Sequence, residues 1–162
     1  MSRGKHRDKA AVSLHHHGPA SPQLAARLRR QLIEWARNEG IPSDTTYDIG
    51  LASYEAMANT VVHAYPHGTV GPLELHARLD PGAVVVTVAD RGRWHDAEAE
   101  AGTEKGTESD TETDTEPDIE PGGEEEHGGR GLDLIRRLSD DSEVVRGEYG
   151  TTVRMSWPRE AA

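Results

Sequence analysis

Glu55, Asn59 and His63 recur at four-residue steps within Asp48 to Tyr65, the stretch DIGLASYEAMANTVVHAY. At about 100° per residue this spacing sets three side chains in a row along one edge of a helix. The carboxylate and carboxamide offer oxygen atoms, which beside phosphates suit Mg²⁺, a hard cation that keeps several of its waters. A second group, Asp90-Arg91-Gly92, closes a Val-rich segment. An aspartate at a strand end can accept a hydrogen bond from an exocyclic amine such as that of adenine. A third, Gly128-Gly129-Arg130-Gly131, precedes a short helical pattern. A glycine-rich turn entering a helix presents unpaired N–H groups at the positive end of the dipole, which suits phosphate. Each alone has an ordinary reading: the polar edge of an amphipathic helix, a strand-end turn, a glycine turn. Their order along the chain, and the elements that carry them, join them.

The elements follow from periodicity. Leu51, Tyr54, Ala58, Val61, Val62 and Tyr65 form an apolar stripe beside the Glu55 row, predicting a helix over Asp48–Tyr65. Before it, Ser21-Pro22 combines an N-cap serine with a proline at the first helical position. Leu24, Leu28, Leu32 and Trp35 continue that first helix until Gly40 and Ile41-Pro42 end it. Arg27, Arg29, Arg30 and Arg37 decorate it, either as a solvated face or as a partner surface. Ala11 to Leu14 could start an edge strand, and His15, His16 and His17, alternating on an extended chain, do not make a metal cluster by spacing. After Pro66-His67-Gly68, Leu73, Leu75, Ala77 and Leu79 alternate with polar residues, and Asp80-Pro81-Gly82 turns the chain into the strand Ala83–Ala89. Beyond the glycines come a helix over Leu132–Leu138, a strand holding Val144 and Val145, and a last strand. In that strand Thr151, Val153, Met155 and Trp157 alternate with Thr152, Arg154 and Ser156. This order predicts an α/β two-layer sandwich, a mixed or antiparallel sheet covered on one face by helices.

The net charge of −11 belongs to one segment. Between Asp96 and Glu126 lie 14 acids and one lysine, a contribution of −13, so the rest of the chain carries +2. A body so near neutrality gives no reason to expect nucleic acid as a partner. The acidic segment has almost no apolar residue and near-repeats such as TETDTEPD, so it cannot bury enough surface to offset its ordering entropy. It reads as a disordered insert over residues 96–127 inside one domain spanning 11–158, with a basic disordered tail at 1–10 and a short tail at 159–162. The 162 residues suffice for one core. Cysteine is absent, which excludes disulfides and fits a cytoplasmic setting. No apolar run approaches the roughly 20 residues of a membrane helix, and no signal-peptide segment follows the basic start.

The three groups together resemble the GHKL ATPase superfamily of gyrase, Hsp90, histidine kinases and MutL. Within it the chain is similar to the bacterial anti-sigma factor serine kinases and related actinobacterial ATP-binding regulators. The N box E-A-x-x-N-x-x-x-H-x-Y is matched by EAMANTVVHAY, Glu55 to Tyr65. The first glycine box, D-x-G, is matched by Asp90 to Gly92, the second, G-x-G-[LMF], by Gly129-Arg130-Gly131-Leu132, and the terminal G-T-T-[VI] by Gly150 to Val153. The resemblance covers about residues 11 to 158 apart from the insert. It departs in two places: Trp94 stands where the first glycine box has a later glycine, and the acidic insert takes the place of a modest ATP lid.

The resemblance implies roles by position. Asn59 would coordinate Mg²⁺ on the phosphates of ATP, and Glu55 would be the catalytic base. Asp90 would receive the adenine amine, with Gly92 admitting the ring and Thr152 assisting through water. Gly129, Arg130, Gly131 and Leu132 would form the phosphate-binding turn, and Arg27 matches a partner-contacting arginine. His63 and Tyr65 would be mainly structural. The implied function is an anti-sigma regulatory kinase in the cytoplasm, and the resemblance suggests a homodimer. It would sequester a sigma factor and phosphorylate a serine or threonine of an anti-anti-sigma (STAS) protein. The alternative is an ATP-responsive partner switch without phosphoryl transfer; intact Glu55 favours the first and the altered lid the second. A sensor-kinase fragment would need a phosphoacceptor-histidine hairpin ahead of the ATP-binding region, where none is read.

Overall fold

The computed structural model describes residues 12–94 and 127–159. The expected basic tail, nearly all of the acidic insert and all but Arg159 of the C-terminal tail lie outside them. The elements in order are β1 (Ser13–Pro19), α1 (Pro22–Asn38), α2 (Ser43–Asn59), a single π-helical turn (Thr60–Ala64), β2 (Pro72–Asp80), β3 (Ala83–Asp90), α3 (His127–Leu138), β4 (Asp141–Gly147) and β5 (Gly150–Pro158). The five strands form one antiparallel sheet in the order β1-β2-β3-β5-β4. The sandwich expected from the sequence is therefore present, and of its two sheet options the antiparallel one is realised.

The strand periodicity sorts the sheet into two faces. Leu73, Leu75, Ala77, Val84, Val86, Val88, Val153, Met155 and Trp157 are buried under the helices, where Leu28 and Leu32 of α1, Ile49, Ala52, Ala56 and Met57 of α2, and Ile135 of α3 meet them. Each fully buried Leu, Ile or Met contributes about 1.5–3 kcal/mol. The opposite face carries His15, His17, Glu74, His76, Thr87 and Arg154 by the same alternation. Central α2 packs against both α1 and α3, so its two edges face different neighbours.

Local signals set the element ends. The Ser21 hydroxyl accepts from Leu24 N–H at 3.1 Å, as the Ser-Pro start predicts. The α1 C-terminus is a Schellman cap. Gly40 has φ +76°, its N–H donates to Arg37, and the Ile41 N–H donates to Ala36. Helix α2 begins at Ser43, five residues before the expected Asp48. Its first turn is polar, yet Thr46 is buried because its hydroxyl donates to the Ile41 carbonyl. Regular α-helix ends at Asn59, short of Tyr65. Helix α3 starts at His127, so the glycines expected to precede it form its opening turns. The edge strand β1 takes in all three histidines, which alternate in exposure as an extended chain requires.

Candidate active site

Helix α2 carries Glu55 and Asn59 on the edge that meets α3. Asn59 is 7% exposed, and its Nδ2 has no hydrogen-bond partner among the described residues. What faces it is Gly131. A Cβ built on Gly131 would stand 3.2 Å from Asn59 Nδ2, 3.3 Å from Oδ1 and 3.5 Å from Glu55 Oε2. The absence of a side chain there lets the α3 backbone lie directly on the Glu55–Asn59 edge. Gly129 lies in the opening of the same helix, Arg130 is exposed, and Leu132 is half-buried against the core. A buried carboxamide with an unused donor, a carboxylate and a glycine-opened helix start thus share one place. Orphaned buried amide groups are costly unless a ligand satisfies them, and this set is chemically suited to phosphate oxygens and an accompanying hard cation.

His63 does not continue the row. The π-helical turn that begins at Thr60 advances fewer degrees per residue than an α-helix, so the alignment stops at Asn59. The His63 ring lies instead with its centroid 6.3 Å from that of Trp94.

Asp90, at the end of β3, is buried at 6% exposure. Its Oδ1 accepts from Gly92 N–H at 3.0 Å and Thr151 N–H at 3.2 Å. Its Oδ2 accepts from the Thr60 hydroxyl at 3.1 Å and the Trp94 indole N–H at 2.8 Å. Tyr65 braces this strand end: its hydroxyl accepts from Arg91 N–H at 3.0 Å and donates to the Pro72 carbonyl. Burial, more than the nearby charge of Asp90, pushes the Tyr65 phenol above its usual pKa, against the lowering effect of the Arg91 N–H.

Two expectations change here. Thr152 pairs in register with Ala89 and so projects to the sheet face away from the helices, whereas Thr151 reaches Asp90. The parity was readable, since Thr151 alternates in step with buried Val153, Met155 and Trp157. What Gly92 admits is the backbone: a Cβ there would collide with the Ala64 carbonyl, which accepts from Arg93 N–H at 2.9 Å. Arg27 is exposed on α1. The structure thus brings Glu55, Asn59 and Gly131 together, and gathers Asp90, Gly92, Thr151 and Trp94 at the end of β3. Sequence reasoning passed over Thr60 and Thr151 as partners of Asp90, and noted Trp94 only as a missing glycine. Thr60 directly follows Asn59, and the turn that carries it hydrogen-bonds to Asp90.

Among the described residues no helix is long and apolar enough to cross a membrane.

Comparison with known proteins addresses the fold and the family. The serine-protein kinase RsbW of Oceanobacillus iheyensis is 29% identical over 141 residues, 85% of this chain and 81% of that protein. Among solved structures, the RsbU and RsbW domains of Rv1364c from Mycobacterium tuberculosis superpose with a TM-score of 0.63 at 23% identity, over 93% of this chain. The histidine kinase domain of the blue-light activated histidine kinase of Erythrobacter litoralis superposes at 0.52 with 21% identity, over 84%. The chain spans 34% and 59% of those two solved chains, so the likeness is one of fold. The sequence model of the histidine kinase-like ATPase domain matches residues 18–157, from the first strand to the last and through every side chain of the site. The chain therefore belongs to the histidine kinase-like ATPase domain family.

Proposed function

We propose that the chain is an anti-sigma regulatory factor that binds Mg-ATP, sequesters a sigma factor and phosphorylates a serine or threonine of a STAS-domain anti-anti-sigma partner in the cytoplasm. The observation that carries this reading is the meeting of Glu55 and Asn59 with Gly131 at the start of α3. Family membership supports ATP as the nucleotide, and the O. iheyensis relative is a serine-protein kinase by name.

In this reading Asn59 orients the phosphates and offers Oδ1 to Mg²⁺. The ion, when bound, neutralises phosphate charge. Asn59 would be this chain's contribution to a bound Mg²⁺, an ion that usually takes most of its ligands from phosphate and water. The N–H groups of the first turn of α3, those of Gly129 and Arg130 among them, receive phosphate oxygens, while Gly131, the fifth residue of the helix, keeps the space beside Asn59 clear and Leu132 anchors the turn to the core. Asp90, positioned by Gly92 and Thr151, accepts the adenine amine. Glu55, one turn before Asn59, takes the proton of the incoming hydroxyl. Phosphoryl transfer asks mainly for positioning and charge neutralisation, with a base aiding the nucleophile. Exposed Arg27 contacts the protein partner. A homodimer fits the same reading.

Calorimetry with Mg-ATP on wild type and Asn59→Ala tests the site. Wild type binds, and the variant loses Mg-dependent binding while its circular dichroism is unchanged. Equal affinity in the two proteins would remove Asn59 from the site.

A further inference from the structure

A carboxylate offers about four lone-pair sites, and Asp90 accepts four hydrogen bonds. Three donors belong to the framework: the N–H groups of Gly92 and Thr151, and the hydroxyl of buried Thr60, whose oxygen lies nearer to Asp90 Oδ2 at 3.1 Å than to the Ala56 carbonyl at 3.4 Å. The fourth, and the shortest at 2.8 Å, is the indole N–H of Trp94. That ring is half-buried and held from two sides. The Arg146 guanidinium lies 5.5 Å from a Trp94 ring centroid, within cation–π range, and the His63 ring lies 6.3 Å away. An indole is a planar aromatic presenting a single N–H to Oδ2. The adenine amine is an exocyclic –NH₂ on a planar purine, and one of its two N–H bonds can take the same place at Oδ2.

We propose that Trp94 is a tethered competitor for the nucleotide base: its indole fills the Asp90 position that the adenine amine would take, so nucleotide binding and Trp94 release are one exchange. This rests on the assignment of Asp90 as the adenine acceptor. The exchange replaces one N–H···carboxylate bond by another, so in neither state is a buried charge left short of a donor, the costly outcome for such a group. An open hollow bordered by Arg93, Arg146 and Thr151 adjoins the indole and gives the ring room to turn out. Apparent affinity is then the intrinsic affinity scaled by the fraction of molecules with Trp94 released. Arg146 and His63, by holding the ring, set that fraction.

The test uses the ¹⁵N-labelled full chain. The Trp94 indole resonance is identified by its loss in Trp94→Phe, and Mg-ATP is added while calorimetry follows binding in the same protein. The Trp94 indole proton is expected to move upfield at saturation as its carboxylate bond is lost. Trp94→Phe keeps a ring and loses the donor; Trp94→Gly loses both. A seat filled in about nine molecules of ten predicts roughly tenfold tighter Mg-ATP binding once the donor is gone. If wild type binds Mg-ATP with the Trp94 signal unmoved, or Trp94→Phe binds no more tightly, the competitor is refuted and the nucleotide site stands. If neither wild type nor Trp94→Gly binds nucleotide, the site reading falls and the competitor with it. Should Trp94→Gly not fold, the wild-type titration and Trp94→Phe decide.

Discussion

Gly131 lies against the carboxamide of Asn59, so close that a methyl group at Gly131 would stand 3.2 Å from Nδ2 and 3.3 Å from Oδ1. The two residues belong to different helices, one at the end of α2 and the other in the opening turns of α3. Their contact lays the backbone of α3 directly over a buried carboxamide.

Gly131→Ala separates stability from binding. Alanine gains about 1 kcal/mol of helix propensity over glycine, which offsets the crowding, so the melting temperature should hold. The new methyl group displaces Asn59 and presses toward Glu55, so Mg-ATP affinity by calorimetry should fall about tenfold, or roughly 1.4 kcal/mol. A variant that melts as wild type and binds as wild type would show that this contact does not shape the site.

Gly92→Ala should act on the fold. The new Cβ meets the Ala64 carbonyl, which is backbone and cannot turn aside. Overpacking of this kind costs about 3 kcal/mol, to be read from urea unfolding. A loss below about 0.5 kcal/mol would mean that the Ala64 and Gly92 backbones separate easily.

Much of this architecture was legible in the chain. The Ser21-Pro22 cap, the Gly40 stop and the alternation of Leu73 to Leu79 each act through local sterics or strand parity, and each gave its element. Of the residues that the four boxes mark, Glu55, Asn59 and Gly131 come together, and Asp90 and Gly92 gather at the end of β3. The rest depends on tertiary partners. Thr46 looks like loop until the Ile41 carbonyl receives its hydroxyl. The π-helical turn that takes His63 out of the row is fixed partly by Thr60 reaching Asp90, thirty residues on. The tryptophan at position 94 was visible as a missing glycine, but its bond to Asp90 was not.

Tyr65→Phe should remove the hydroxyl that joins Arg91 N–H to the Pro72 carbonyl, at about 1 kcal/mol for a net hydrogen bond. Its pH dependence is the sharper readout. The folded-state pKa of Tyr65 is raised above the ordinary value of 10.0, chiefly by burial. Stability from this group is therefore complete below that value and is lost as pH climbs through the higher folded pKa. Urea midpoints followed from pH 8 to 11 should fall more steeply in wild type than in Tyr65→Phe. Parallel curves would place the alkaline loss elsewhere.

The central claim is that Glu55 performs chemistry where Asn59 performs binding. A general base contributes typically 10²–10⁴-fold to the transfer step and little to ground-state affinity. The direct measurement is radiolabel transfer from ATP to candidate STAS proteins of the source organism, wild type beside Glu55→Ala, with Mg-ATP affinity measured on both. The account predicts transfer by wild type, a loss of at least about 100-fold in Glu55→Ala, and equal ATP affinity. Wild type that binds Mg-ATP and a sigma factor but labels no STAS protein would contradict the kinase and leave the binding module in its place.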